Sequence, residues 1–256
     1  MTELAYDRSG TGPTLVLLHG LGSHRQVWAP VMAAAARDRD VIALDLPGFG
    51  ESPLGANNGT VAGFADHVES FLDRLGVGRF AVAGNSMGGG IALELGRRGR
   101  AESVTAFAPI GFWSGAGRRW CQSVVSAARV AAARLDSRLP QIMASPAGRA
   151  AFCSLFYARP GRLAPDDCVA AARALATAPG FAPARDAFAR FSAPIPVSDD
   201  VTIAWGTRDL VLPFAQSRRA RALLPAARHV TLTGCGHLPF ADDPAACLAA
   251  LSGSAR

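Results

Sequence analysis

The chain contains no lysine, so all 26 of its basic residues are arginine. Against 20 acidic residues they give a net charge of +6, but they are spread along the whole chain. The two densest groups, Arg97–Arg100 and Arg218–Arg221, fall near a predicted helix C-terminus or on a helix surface, where the helix dipole favours cations. This distribution favours a solvated basic face and disfavours a nucleic-acid groove.

Long apolar runs and a signal peptide are also missing. No stretch approaches the roughly 18 consecutive apolar residues of a membrane-spanning helix. The N-terminal residues Met1–Arg8 lack the apolar core of a secretory signal. We therefore expect a cytoplasmic protein without a membrane span.

Cysteines are few, and their number is odd. The five lie far apart, with neither metal-ligand spacing nor the pattern of a disulfide framework. We expect buried free thiols and no metal at Cys121, Cys153, Cys168, Cys235 and Cys247.

The first half of the 256-residue chain alternates short apolar runs with helical patterns. The predicted strands are Thr14–Leu18, Val41–Leu44, Phe80–Ala83 and Ser103–Pro109. The predicted helices between and around them are Val27–Arg37, Phe64–Leu75 and Ser86–Arg97. Short apolar strands with helical crossovers predict an α/β fold, with a mostly parallel sheet that carries helices on both faces.

This rhythm stops after Gly111 and resumes at a strand predicted over Val201–Trp205. Residues 112–196 are rich in alanine and arginine and show helical patterns such as Val124–Leu135 and Pro165–Ala176. We interpret 112–196 as an inserted helical lid, and 1–111 with 197–256 as the core. A helix at Phe214–Leu224, a strand at His229–Leu232 and a helix at Pro244–Leu251 complete the core.

Ser86 lies in the sequence Gly84-Asn85-Ser86-Met87-Gly88, directly after a predicted strand. A G-x-S-x-G sequence between a strand and a helix forms a tight turn that presents the serine hydroxyl as a nucleophile. An ordinary helix N-cap is the simpler alternative, but it does not require the flanking glycines.

A serine nucleophile needs a base and a group that orients the base, and on this kind of sheet their chain order is serine, acid, histidine. Asp209 follows the strand predicted at Val201–Trp205, and His237 follows the last strand in a glycine-flanked loop. All three candidates lie at carboxyl ends of strands, where open parallel sheets place their sites.

Other residues compete for the two roles of acid and base. Asp199 and Asp200 precede their strand, while Asp242 and Asp243 are expected to cap the last helix. His67 is expected on a helix surface, and His229 begins a strand. Cys235, close to His237, is expected to be a small core residue.

These motifs together resemble the α/β-hydrolase superfamily. The chain also carries its His19-Gly20-Leu21-Gly22 turn and its Asp45-Leu46-Pro47-Gly48 loop. The resemblance implies an oxyanion hole made by the backbone N–H groups of Leu21 and Met87. It further implies structural roles for His19 and Asp45.

The resemblance leads us to expect a serine esterase that needs no cofactor, acts on a small apolar substrate and exists as a monomer or homodimer. Alternatives are a carbon–carbon bond hydrolase of ring-fission diones, a cofactor-free haloperoxidase or perhydrolase, and a receptor without turnover. Asn85 beside the serine is similar to the nucleophile region of the carbon–carbon hydrolases. Against that alternative, Leu238 stands where they have tryptophan. They also use an arginine of the lid, for which Arg185 and Arg190 are candidates without a supporting motif.

Aromatic residues of the lid are candidates for an apolar pocket, although packing of the lid on the core is the more frequent role. Besides Asn85, His24 at the start of the first helix is a candidate substrate contact. The lid candidates are Trp113, Trp120, Phe152, Leu155, Phe156 and Tyr157.

Overall fold

The computed structural model describes residues 3–55, 59–193 and 200–252. It contains one seven-stranded sheet with the order β1-β3-β2-β4-β5-β6-β7. The strands are β1 Tyr6–Ser9, β2 Thr14–Leu18, β3 Asp40–Leu44, β4 Phe80–Asn85, β5 Ala101–Phe107, β6 Val201–Gly206 and β7 Arg228–Leu232. Only β1 is antiparallel to its neighbour, and the other five pairings are parallel.

Both faces of the sheet are buried, and alternate residues of each strand enter different cores. Val16 and Leu18 of β2 pack into one apolar cluster with helix residues such as Phe64 and Ile91. Leu15 and Leu17 pack into the other. Because successive strand side chains point to opposite faces, a continuous apolar run supplies both cores. The predicted fold class is confirmed.

Helices cover the two faces. They are α1 Ala29–Ala35, α2 Val61–Arg74, α3 Met87–Arg97, α4 Gly115–Arg134, α5 Leu139–Ala144, α6 Pro146–Cys153, α7 Pro165–Thr177, α8 Phe181–Ala187, α9 Gln216–Leu223, α10 Pro239–Asp242 and α11 Pro244–Ser252. The helix predicted over Val27–Arg37 is shorter, since a 3₁₀ turn at Arg25–Trp28 precedes α1.

The edge strand β1 is not predicted by the sequence analysis. All four of its residues are exposed, so no apolar alternation marks it. It pairs with β3, and the Arg8 guanidinium donates to both carboxylate oxygens of Asp40 at 2.8 Å.

Five helices, α4 to α8, lie between β5 and β6, and the described residues of this stretch contain no strand. We call residues 112–193 the helical insert. The insert has a small apolar core of its own around Leu139, Met143 and Val169. The predicted boundary at 196/197, and Asp199, lie outside the described residues, and the role of the insert as a lid stays a prediction.

Candidate active site

The turn at Ser86 is shaped by its glycines. Ser86 joins β4 to α3 with φ at +56°, in a region that L residues rarely occupy. A Cβ on Gly84 would lie 2.0 Å from the Gly88 carbonyl oxygen, and a Cβ on Gly88 would lie 2.2 Å from that of Leu18. Side chains at these positions would collide with backbone, so the two glycines permit the strained turn. Ser86 does not accept a cap bond as an ordinary N-cap would.

Asp209 and His237 are hydrogen-bonded to each other. The His237 Nδ1 lies 2.8 Å from Asp209 Oδ2, and both side chains are buried. The other oxygen of Asp209 accepts the backbone N–H groups of Val211 and Leu212 at 2.9 and 2.8 Å. One oxygen of Asp209 therefore closes the turn that follows it, while the other oxygen holds the imidazole of His237. The carboxylate selects the tautomer with hydrogen on Nδ1, which leaves His237 Nε2 unprotonated in the neutral ring.

Ser86 and His237 line one cavity, and Asn85 joins their two loops. The Asn85 amide nitrogen donates to the carbonyl oxygens of His237, at 3.0 Å, and Phe107, at 3.2 Å. Asn85 is fully buried and its Oδ1 has no hydrogen-bond partner. The structure thus places the predicted nucleophile and base on the wall of one cavity, with the predicted acid bonded to the base. The three residues follow the carboxyl ends of β4, β6 and β7.

Two backbone N–H groups are positioned near the nucleophile. Met87 is the first residue of α3, so its N–H has no acceptor within the helix. Leu21 lines the cavity beside Ser86. The preceding Gly20 is so close that a Cβ there would lie 3.2 Å from the Ser86 Cβ. An anion at this point also lies at a helix N-terminus, which stabilises negative charge.

His19 fixes the turn that carries Leu21. Its Nδ1 donates to the Gly20 carbonyl oxygen at 2.7 Å, and its Nε2 accepts the Leu46 N–H at 2.9 Å. Complete burial lowers the pKa of His19 to about 4. The neutral ring thus makes both bonds at neutral pH, which agrees with a structural role.

Asp45 fixes the neighbouring loop in a similar way. Its carboxylate is fully buried and accepts the N–H groups of Arg25 and Glu51. The Arg25 guanidinium also pairs with Asp45, Glu51 and Asp7. The only arginine in the described lining of the cavity is therefore surrounded by carboxylates.

The cavity has a volume of about 620 Å³ and runs from Ser86 into the helical insert. Most of its wall is apolar. Helix α7 leaves room for it because it presents the small side chains of Ala170, Ala171 and Ala174. Four of the predicted contacts from the insert or the first helix line it, namely His24, Phe152, Phe156 and Tyr157, and Asn85 lines it as well.

Three aromatic or apolar candidates lie elsewhere. Trp113 is not among the cavity-lining residues, because its ring packs on Phe188 at 5.5 Å between centroids. Trp120 is half exposed, and its indole N–H donates to the Leu210 carbonyl oxygen at 2.9 Å. Leu155 packs on the main core without lining the cavity. Of these three, only Trp120 lies on a helix, since Trp113 precedes α4 and Leu155 follows α6. Sequence alone does not give the course of the segments between the helices, which decides which side chain enters the cavity.

All five cysteines are buried and unpaired, as predicted. Burial raises the pKa of Cys235 to about 11, so the thiol next to His237 is a poor nucleophile at neutral pH. Sequence reasoning missed that Cys121, Cys153 and Cys168 line the cavity. No local motif marks them, since their exposure depends on how α4, α6 and α7 pack.

The hydrogen-bond partners of Asp242 also differ from those expected. Asp243 caps the last helix by accepting the Ala246 N–H at 3.0 Å. The buried carboxylate of Asp242 accepts the N–H of Gly236 at 2.8 Å instead, together with two N–H groups of the insert. The expectation that Asp242 caps α11 is therefore wrong, because these long-range donors occupy its oxygens.

Within residues 3–55, 59–193 and 200–252, no helix is long and apolar enough to cross a bilayer. The same residues contain no cluster of three or more His, Cys, Asp or Glu side chains arranged to bind a metal ion.

The chain is similar to known proteins over most of its length. The profile of the alpha/beta hydrolase family matches residues 15–250. An uncharacterised protein of Mycobacterium tuberculosis is 30% identical over 264 aligned positions, which cover 94% of this chain and 74% of that protein.

Solved structures share the fold over nearly the whole chain. A thermophilic esterase from Thermogutta terrifontis has a TM-score of 0.74 at 22% identity, with 98% of this chain and 92% of that one covered. A meta-cleavage product hydrolase from Pseudomonas fluorescens IP01 has a TM-score of 0.72 at 20% identity, with 100% and 96% covered. At such identities these two likenesses concern the fold alone.

Proposed function

This chain belongs to the alpha/beta hydrolase family, and from that premise we propose that it is a serine hydrolase that cleaves an ester or related acyl bond through an acyl-enzyme. One observation carries the proposal. Ser86 stands at a strained turn on the wall of the same cavity as His237, whose Nδ1 is bound to a buried carboxylate. Nucleophile, base and orienting acid are the three groups that serine-based acyl transfer needs.

In the proposed reaction, Ser86 Oγ attacks the carbonyl carbon while His237 Nε2 takes the hydroxyl proton. The oxyanion accepts the N–H groups of Leu21 and Met87, and each such donor contributes about 2.7–4 kcal/mol in the transition state. His237 then protonates the leaving alcohol, which departs from the acyl-enzyme. A water molecule then gives a proton to His237 and attacks the acyl carbon. The bond from the acyl carbon to Ser86 Oγ breaks, His237 returns the proton to Ser86 Oγ and the acid leaves. Asp209 stabilises the imidazolium in both steps.

The cavity supports a neutral, apolar acyl group as substrate. Its wall is formed mainly by alanine, leucine and phenylalanine side chains, and about 620 Å³ suits a medium-sized small molecule. Arg25, the one arginine in the described lining, is paired with three carboxylates. A negatively charged substrate would find no available arginine partner there.

The arginines of the insert argue against cleavage of ring-fission diones, because the hydrolases that this alternative resembles use an arginine of the lid. Arg185 of the insert donates to Asp186 and Ser126, and it does not line the described cavity. Arg190 borders a separate hollow between α2 and the insert. Neither candidate arginine is in place to bind such a substrate.

Labelling of the nucleophile tests the proposal directly. We expect a fluorophosphonate probe to modify Ser86 in the wild-type protein, and Ser86→Ala to lose both labelling and turnover of p-nitrophenyl esters. Ser23→Ala is the matched control, because Ser23 lines the same cavity and should leave labelling intact. Full activity in Ser86→Ala would contradict the proposal.

Substrate panels separate the enzyme from the alternatives. Repeated turnover of p-nitrophenyl esters supports a hydrolase, whereas a single slow turnover would indicate a receptor. A ring-fission dione consumed faster than every neutral ester would overturn the assignment of substrate class.

A further inference from the structure

The two neighbours of His237 in the chain are held by backbone hydrogen bonds. Gly236 bonds to Asp242, and Leu238 bonds to the helical insert. Directly before it, the Gly236 N–H donates to Asp242 Oδ2 at 2.8 Å. Directly after it, the Leu238 N–H donates to the Phe156 carbonyl oxygen at 2.9 Å. The backbone on either side of the imidazole is therefore fixed from outside the loop that carries it.

Asp242 connects that loop to a short segment of the insert. We call residues Phe156–Arg159 the strap. Asp242 Oδ2 also accepts the N–H of Ala158 at 2.9 Å, and Oδ1 accepts the N–H of Arg159 at 2.8 Å. The Arg159 guanidinium returns a bond to the Asp242 carbonyl oxygen at 3.0 Å. One buried side chain thus receives three backbone N–H groups from two parts of the chain.

The backbones of the strap and of the histidine loop are in close contact. A Cβ on Gly236 would lie 2.7 Å from the Phe156 carbonyl oxygen and 2.8 Å from the Ala158 nitrogen. No side chain fits between the two segments. Phe156 and Tyr157 of the same strap line the cavity, so the wall that would contact substrate is joined to the loop that carries the base.

We propose that Asp242 is a positioning residue. Through Gly236 it holds the backbone of His237 where the imidazole can act on Ser86, and it joins the substrate-contacting strap to the histidine loop. Asp209 fixes the rotation of the imidazole through Nδ1, and Asp242 fixes the backbone from which the imidazole projects. The proposal rests on the proposed function in one respect, namely that His237 is the base. The two can fail separately, because labelling of Ser86 in the wild type tests only the function.

The variant Asp242→Asn makes the smallest change that breaks this arrangement. Both carboxylate oxygens accept N–H groups, whereas an asparagine side chain has one acceptor oxygen and one NH₂ group. In either orientation, at least one N–H of Gly236, Ala158 or Arg159 faces another donor. Asp243→Asn is the matched control, since Asp243 uses a single oxygen to accept the Ala246 N–H and an asparagine can still supply it.

We expect Asp242→Asn to lower kcat by about 10- to 100-fold, the size of effect that a small misplacement of a catalytic group produces, with a smaller rise in KM because the strap also contacts the substrate. Asp243→Asn should keep both constants near their wild-type values. An equal loss in the two variants, or a change confined to KM, would overturn the proposal.

Amide hydrogen exchange on the wild-type protein gives a test that needs no variant. Because they share one acceptor group, the N–H groups of Gly236, Ala158 and Arg159 should exchange with similar protection, as one unit. If the two strap amides exchange far faster than that of Gly236, the strap is not tied to the histidine loop and the proposal fails. This readout holds even if Asp242→Asn does not fold or the substrate is still unidentified.

Discussion

The turn at Ser86 in the sheet core and the arginine-bridged segments of the helical insert are held together by different means. In the core, backbone meets backbone at distances that only glycine allows, as at Gly84 and Gly88 beside Ser86. In the insert, arginine side chains cross between segments and donate to carbonyl oxygens. Arg149 bonds to the carbonyls of Met143, Ala144 and Gly161, and Arg129 bonds to those of Leu175 and Ala178.

This difference gives the absence of lysine a structural meaning. A guanidinium group presents five N–H donors in a fixed plane, so it can satisfy carbonyl groups on two segments at once. An ammonium group is a compact point charge without that geometry. The turn at Ser86 depends on close backbone packing, whereas the junctions at Arg149 and Arg129 depend on guanidinium groups. Substitutions at these two kinds of place should therefore have different effects.

The largest expected effect is that of Gly84→Ala in the core. The new Cβ would lie 2.0 Å from a carbonyl oxygen of the next helix, so β4 and α3 have to separate. We expect a loss of more than about 4 kcal/mol in the free energy of unfolding, or no folded protein. Gly78→Ala is the control, because a Cβ there meets nothing within 4 Å. Urea unfolding of both variants checks the difference, and similar stabilities would contradict the account of the core.

The same contrast explains what could be predicted from the sequence. The strands, the glycine-flanked Ser86, and Asp209 and His237 at strand ends are local patterns with a direct steric or hydrogen-bonding cause. The edge strand at Tyr6–Ser9 could not be found, since its residues are all exposed and its pairing with β3 is long-range.

Within the insert, the helices could be predicted from the sequence, but the placement of the segments that connect them could not. Composition predicts helices over α4 and α7, yet it does not say that Trp113 faces Phe188 while Phe156 faces the cavity. The predicted role of Asp242 as a helix cap is wrong for a related reason. Its position near the start of a helix suggests a cap, whereas its partners at Gly236, Ala158 and Arg159 become neighbours only when the chain folds.

The second prediction concerns pH and the core. His19 has its pKa lowered to about 4 by burial, below about 6.5 in the unfolded chain. Between these values the unfolded state binds more protons, so the free energy of unfolding falls as pH decreases from about 6.5 to 4. The full contribution is present above pH 6.5 and amounts to about 3 kcal/mol.

Urea unfolding at a series of pH values measures this contribution. His19→Asn removes the ionisable group while its amide can still donate and accept, so the variant should lose less stability on acidification than the wild type. His67→Asn, on α2, is the control for the loss of one imidazole. An unchanged pH dependence in His19→Asn would contradict the assignment to His19.

The third prediction moves to the insert. Arg149→Lys keeps the positive charge but cannot bridge Gly161 and Met143, which the guanidinium reaches at 2.9 and 2.6 Å. Because a buried carbonyl then loses its donor, we expect about 1–2 kcal/mol of destabilisation. Faster amide exchange should be confined to α5, α6 and the turn at Pro160–Arg162. Arg119→Lys, at an exposed position of α4, should change stability by less than about 0.5 kcal/mol. Equal effects at the two positions would show that the bridging geometry of Arg149 does not matter.

The smallest effect on stability is expected where the insert leaves space. Ala171 of α7 lines the cavity, so the ring of Ala171→Phe can enter open volume without displacing packed atoms. We expect a change of less than about 0.5 kcal/mol in the free energy of unfolding. Turnover of long-chain p-nitrophenyl esters should nevertheless fall by about tenfold or more relative to acetate, because about 1–3 kcal/mol of apolar binding is lost per excluded methylene. Ala127→Phe, exposed on α4, is the control and should keep the wild-type chain-length profile. A loss of stability in Ala171→Phe as large as that in Arg149→Lys would mean that the ring displaces packed atoms. The contrast between a tightly packed turn at Ser86 and an insert with open volume would then be wrong.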